Sequence, residues 1–115
     1  MLSPVASLKK RQDFKKVFNR GKYRAGSLFV IYALANDLDV SRLGLSVSKK
    51  VGGAVVRNRV KRLMRESCRL MKLCSGYDFV IVARAGAGAL DRDGAFVKVR
   101  DSLGVLFNKL GLDRP

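Results

Sequence analysis

A chain of 115 residues has room for one compact domain with its own core, and an apolar share of 48% excludes a disordered tail. Lys and Arg number 24 against 9 Asp and Glu, a formal charge of +15 that asks for a polyanionic partner. The longest apolar stretches, Leu28–Ala35 and Phe79–Ala83, are far shorter than the roughly 20 residues that span a bilayer, so no membrane partner is expected.

In chain order, Met1–Pro4 leads into the basic cluster Lys9–Arg11 without the apolar centre of a secretory signal, and cytoplasmic residence is expected. Asp13–Arg20 places Phe14, Val17 and Phe18 on one side of a short helix that Gly21 stops. Leu28–Leu34 is β-branched and aromatic and ends in the turn signal Asn36-Asp37. Leu43–Val47 follows with period-two alternation, so the two segments read as a hairpin. Ala54 to about Leu73 is the longest helical segment, and Tyr77–Arg84 is a buried-type strand between Gly76 and Gly86. A last helix runs from about Arg92 to Leu110, with the stripe Phe96, Val99, Leu103, Leu106 and Leu110 and with Asp91 and Asp93 at its positive end. No linker or repeat divides the chain, so residues 1–115 form one domain.

The charge is blocked. Residues 1–24 carry a net +7 and residues 42–72 a net +9, while 25–41 are −2 and the remainder +1. On the long helix, at about 100° per residue, Val60, Leu63, Met64, Ser67, Leu70 and Met71 share the core direction. Asn58, Lys61, Arg62, Arg65, Arg69 and Lys72 lie opposite. A solvated charged face usually mixes signs. Here Glu66 is the one acid, and no i,i+4 ladder relieves the repulsion, which favours nucleic acid. Arg predominates, and its planar fork suits bidentate phosphate contacts. Ser48-Lys49-Lys50-Val51-Gly52-Gly53 adds two cations and two glycines at the helix N-terminus, where backbone N–H groups favour anions. The P-loop spacing is absent, so no small-molecule nucleotide substrate is expected.

Catalytic chemistry has little to stand on. With no His, neither a Ser-His nor a Cys-His pair exists, and Ser46-Val47-Ser48-Lys49 matches S-x-x-K without its companion motifs. Cys68 and Cys74 indicate neither a disulfide framework nor a zinc site and read as small buried hydrophobes. No metal site in the polypeptide is expected. Phe14 and Phe18 have two readings: core residues, or a stacking surface for single-stranded RNA among Lys9, Lys10, Arg11, Lys15, Lys16 and Arg20. Leu28–Leu34 is apolar on both faces, so three helices can leave an aromatic groove partly open.

Gly44-Leu45-Ser46-Val47-Ser48-Lys49-Lys50-Val51-Gly52-Gly53, continuing through Arg57-Asn58-Arg59, Lys61-Arg62 and Arg65-Glu66, closely resembles the protein subunit of bacterial ribonuclease P. Arg11–Gly21 is similar to that family's first helix and Tyr77–Arg84 to its last strand, so the resemblance covers about residues 8–110. It implies an α/β (α+β) two-layer sandwich in the order αβββαβα, ribosomal protein S5 domain 2-like. The sheet would have four strands, one near Lys22–Arg24, with a left-handed βαβ crossover. It also implies that an RNA subunit hydrolyses the phosphodiester with Mg²⁺ held by RNA and substrate, removing the 5′ leader of precursor tRNA, with no catalytic site in the polypeptide. By motif position, Lys49, Lys50, Arg57, Asn58, Arg59, Lys61, Arg62, Arg65 and Arg69 would contact RNA. Phe14, Phe18, Tyr32 and Val82, with Lys15, would line a cleft for the leader. A tail ending at Pro115 with few cations departs from the family pattern. The alternative is a basic structural protein of the ribosome that binds folded rRNA.

Overall fold

The computed structural model describes residues 5–112; Met1–Pro4 and the tail at Pro115 lie outside them. The elements are β1 (Val5–Ser7), α1 (Arg11–Arg20), β2 (Lys22–Ala25), β3 (Phe29–Ala35), β4 (Ser41–Ser46), α2 (Ala54–Arg69), β5 (Tyr77–Ala83) and α3 (Ala95–Leu110). A 3₁₀ turn, Ala85–Ala89, which periodicity does not signal, separates β5 from α3. The mixed α/β fold is the one expected, and the implied strand near Lys22–Arg24 is β2.

Three expectations need correction. The sheet has five strands, in the order β1-β4-β5-β3-β2, rather than four. The extra strand is β1, which pairs parallel with β4; three residues are too few to carry a readable period. The segments read as a hairpin are not neighbours, because β5 lies between them, antiparallel to β3 and parallel to β4. Strands apolar on both faces belong in the middle of a sheet, and β5 satisfies one edge of each. The Asn36-Asp37 turn is real: Asp37 has φ 61°, and the Leu38 N–H donates to Asn36 Oδ1 at 2.8 Å. Its chain simply leads two strands across. The third correction is Leu70, which is 61% exposed because α2 ends at Arg69 and Leu70 caps it off the helical wheel; Cys68 is buried instead.

One face of the sheet carries Phe29, Ile31, Ala33, Phe79 and Ile81, which pack with Val60, Met64 and Cys68 of α2 and Val99, Leu103, Leu106 and Phe107 of α3. Burial pushes the Cys68 thiol up to about 12. Ser67, also buried, donates its hydroxyl to the Leu63 carbonyl at 2.7 Å. On the opposite face a smaller cluster of Leu8, Val17 and Val80 holds α1 with Phe14, Tyr32, Leu34 and Val82. α2 and α3 therefore cover one face of the sheet, and α1 covers only part of the other.

Candidate nucleic-acid interface

Register fixes what the α1 side presents. Tyr23 pairs with Tyr32, Val30 and Ser46 both pair with Val82, Gly44 pairs with Val80 and Arg42 with Asp78; paired residues share a face. Across this surface α1 lies with Phe14 over Gly44, and Val17 fully buried in the cluster that includes Val80. Phe18 stands edge-on to Tyr32, ring centres 4.9 Å apart.

One flank of α1 is anchored. Arg42 donates from Nε to Asp78 Oδ1 at 2.8 Å and from Nη2 to Oδ2 at 2.6 Å, Asn36 Nδ2 donates to Oδ1 at 2.9 Å, and Arg42 Nη1 stands 3.7 Å from Asp13 of α1. Burial pushes the Asp78 carboxyl upward, but the hydrogen bonds from Arg42 and Asn36 and the nearby positive charges outweigh it and hold the group below its ordinary value. The hydrogen bond to Asp78 and the charges of Asp78 and Asp13 in turn raise Arg42 against the opposing effect of burial.

The other flank of α1, where Arg11, Lys15 and Phe18 fall on the helical wheel, faces open sheet. Val30, Tyr32, Val82 and Ser46 are half-buried there and Lys15 is exposed. The structure thus gathers Phe14, Tyr32 and Val82 in one partly buried cluster, with Phe18 against Tyr32 and Lys15 exposed on the neighbouring turn of α1. Of the two readings of the aromatic pair, Phe14 joins the packed cluster at its edge while Phe18 keeps 39% of its surface exposed.

From Ser46 the chain runs directly into the basic loop and helix. Lys49 and Lys50 are exposed, and the Val51 N–H donates to the Ser48 carbonyl at 3.1 Å. Gly52 takes φ +155°, and a β-carbon there would stand 2.8 Å from Val56 Cγ1, so the loop enters the helix closely only with glycine. No side chain caps the α2 N-terminus, which leaves its first N–H groups to an anion. On α2, Asn58, Arg62, Arg65 and Arg69 are exposed and Arg57, Arg59 and Lys61 half-buried. None of the ion pairs among the described residues involves an α2 cation, so the repulsion on this face is left for a ligand to relieve.

The cations divide about the helix axis. Arg57, Lys61 and Arg65 point to one flank. Arg59 and Arg62 point to the other, and there they line a groove of about 590 Å³ with Val55, Asn58, Leu63, Arg92, Ala95 and Phe96. Arg59 Nη2 also donates to the Gly88 carbonyl at 3.5 Å. Sequence reasoning missed Arg92, which counts as an ordinary helix-end charge until α3 is laid beside α2. It also missed Tyr23, whose signal was an aromatic between Lys22 and Arg24. Among the described residues, no group of three His, Cys, Asp or Glu side chains is placed to hold a metal ion, and no helix is long and apolar enough to cross a membrane.

The family model described as Ribonuclease P matches residues 2–111. The chain is similar to the ribonuclease P protein component of Bacillus velezensis, 49% identical over 107 residues, 91% of this chain and 89% of the relative. It is similar to that of Clostridium kluyveri, 44% identical over 112 residues, 94% of this chain and 96% of the relative. Its fold is similar to the Staphylococcus aureus RNase P protein, with TM-score 0.85 and 31% identity over 96% of this chain and 100% of that one. The Thermotoga maritima RNase P protein gives TM-score 0.76 and 34% identity over 89% of this chain and 96% of that one.

Proposed function

The chain belongs to the ribonuclease P protein family, and from that premise we propose that α2 and its preceding loop bind the catalytic RNA of ribonuclease P while the cleft beside α1 holds the 5′ leader of precursor tRNA. The observation that carries the reading is the continuity of the two surfaces. β4 contributes Ser46 to the cleft floor, and two residues later the same chain becomes the loop that carries Lys49 and Lys50 into α2. An RNA held on α2 and a single strand leaving it toward the sheet would lie on one uninterrupted surface.

The two surfaces offer different chemistry. The guanidinium groups of Arg57, Arg59, Arg62, Arg65 and Arg69, with Asn58, Lys61, Lys49 and Lys50, suit closely spaced phosphates of a folded RNA. Phe18, Tyr32 and Val82, beside Phe14 and Lys15, suit unpaired bases and their backbone. Asp78, the buried carboxylate of this face, is engaged by Arg42 and Asn36. On this reading hydrolysis belongs to the RNA, with Mg²⁺ held by RNA and substrate. The polypeptide lowers the Mg²⁺ requirement by bringing fixed cations to phosphates that divalent ions would otherwise screen. The ribosomal alternative has no support among relatives that are ribonuclease P protein components. Cytoplasmic residence, with neither a membrane nor a small-molecule substrate, belongs to the same reading.

The test is reconstitution with a bacterial ribonuclease P RNA at low Mg²⁺. Cleavage of precursor tRNA should appear only when RNA and protein are both present, and the Mg²⁺ needed for half-maximal rate should fall on adding protein. Cleavage by RNA-free protein, or an unchanged Mg²⁺ requirement, contradicts the reading.

A further inference from the structure

Tyr23 stands where the fold has no evident use for an aromatic ring. It lies on β2, an edge strand whose four residues are all exposed, and keeps 56% of its own surface open. Alternation sends Lys22 toward α3, where Nζ donates to the Leu110 carbonyl at 3.4 Å, and so puts Tyr23 on the cleft side of the sheet. Its ring centre is 5.4 Å from that of Tyr32, with the planes tilted by 31°. Phe18 lies 4.9 Å beyond Tyr32. Three rings therefore form a row from α1 across β3 to the β2 edge. A cross-strand Tyr pair alone would stabilise the β2–β3 pairing, but that role does not require the outer ring to remain mostly in water.

We propose that Tyr23 extends the leader cleft by one stacking position and takes a leader nucleotide beyond those held at Phe18 and Tyr32. The inference rests on the leader-cleft reading above. Strand order supplies the direction: the Lys49–Lys50 loop follows β4, whereas Tyr23 sits at the far edge beyond β5 and β3. A strand that leaves the RNA bound on α2 reaches Tyr23 last. The 5.4 Å step between ring centres exceeds the roughly 3.4 Å per nucleotide of a stacked duplex strand, which suits a single strand advancing with its backbone extended. Arg20, exposed at the last position of α1 and lying in the chain between Phe18 and Tyr23, supplies charge for the phosphates. Stacking of this kind is tolerant of base identity, so the added position extends leader length rather than imposing a sequence.

The experiment measures binding of holoenzyme, assembled with the full chain, to precursor tRNAs whose leaders grow one nucleotide at a time. Wild-type affinity should continue to rise for at least one nucleotide after the Tyr23→Ala holoenzyme has reached its plateau. The gap should be about 5- to 150-fold on the longer leaders, Tyr23→Phe should restore it, and mature tRNA should bind equally to all three. Phe18→Leu is run beside them and should weaken binding from shorter leaders onward. If Phe18→Leu weakens binding while Tyr23→Ala follows the wild-type curve at every length, Tyr23 is only a strand-edge residue and the proposal is overturned with the cleft intact. If neither variant alters leader dependence, the cleft reading fails and takes the proposal with it. A Tyr23→Ala deficit that is the same for mature and precursor tRNA, accompanied by a lower Tm, also overturns it in favour of strand packing.

Discussion

The ring of Phe14 occupies the space that a side chain on Gly44 would need: a β-carbon there would stand 2.5 Å from Phe14 Cζ and 2.8 Å from Cε2. The absence of a side chain in β4 thus sets how closely α1 lies on the sheet and where the cleft wall stands. Gly44→Ala should displace Phe14 and tilt α1, at about 1–3 kcal/mol for an overpacked contact. Urea unfolding should report that loss, and precursor tRNA should lose more affinity for the holoenzyme than mature tRNA. If stability falls while leader discrimination is kept, Phe14 belongs to the core alone.

Phe14, Phe18 and Tyr32 can be tested as a stacking surface by replacement with Leu, which keeps much of the apolar volume and removes the aromatic face. Each substitution should cost about 1–3 kcal/mol per stacked base in precursor binding and nothing with mature tRNA. Thermal unfolding separates the two roles of these rings. Phe14, packed on Gly44, should show a larger drop in Tm than the more exposed Phe18, and an equal loss for mature and precursor tRNA would return all three to the core.

Arg59, Arg62 and Arg65 carry a prediction that depends on charge alone. Changing all three to Ala should weaken binding to the catalytic RNA and make its log–log salt dependence shallower, by about 0.7–0.9 for each phosphate no longer neutralised. The helix should persist, since Ala is the better helix former. An unchanged slope in a folded variant would make these side chains ordinary solvated charges.

The Asp78–Arg42 pair predicts a pH dependence of stability. Because the carboxyl is held below its ordinary value in the folded chain, its contribution is fully present above the unfolded pKa of about 3.9 and disappears as pH falls through the lower folded value. Asp78→Asn should remove that acid-side loss. Arg42→Met should cost about 1–3 kcal/mol near neutral pH, where it leaves a buried carboxylate short of donors. Without Arg42 the carboxyl is held down less, so the gap in stability between this variant and wild type should narrow as pH falls through about 4 and below. Denaturant midpoints measured from acid to neutral pH would show parallel curves if the pair made no difference.

The faces of α2 and the stripe of α3 could be read from the chain because a helix repeats about every 3.6 residues, and its apolar and cationic sides are written into one local stretch. The charge blocks, the glycine-bearing loop before α2 and the two-sided apolarity of Leu28–Leu34 are equally local, and they indicated both RNA and a partly open sheet. Strand pairing is different in kind. Nothing within Leu28–Leu34 or Leu43–Val47 says that Tyr77–Ala83, far along the chain, will enter between them; that choice is made by which arrangement buries the apolar faces and pairs the inner edges of all three strands. The three residues of β1 have no periodicity of their own and become a strand only against β4. Leu70 fits the apolar side of the wheel but lies one residue past the helix. The contact of Phe14 with Gly44, the anchoring of α1 through Arg42 and the row formed by Phe18, Tyr32 and Tyr23 likewise join residues from separate elements. Local periodicity decides which side of an element is apolar, whereas the cleft depends on which elements meet, and only the packing of the whole chain sets that.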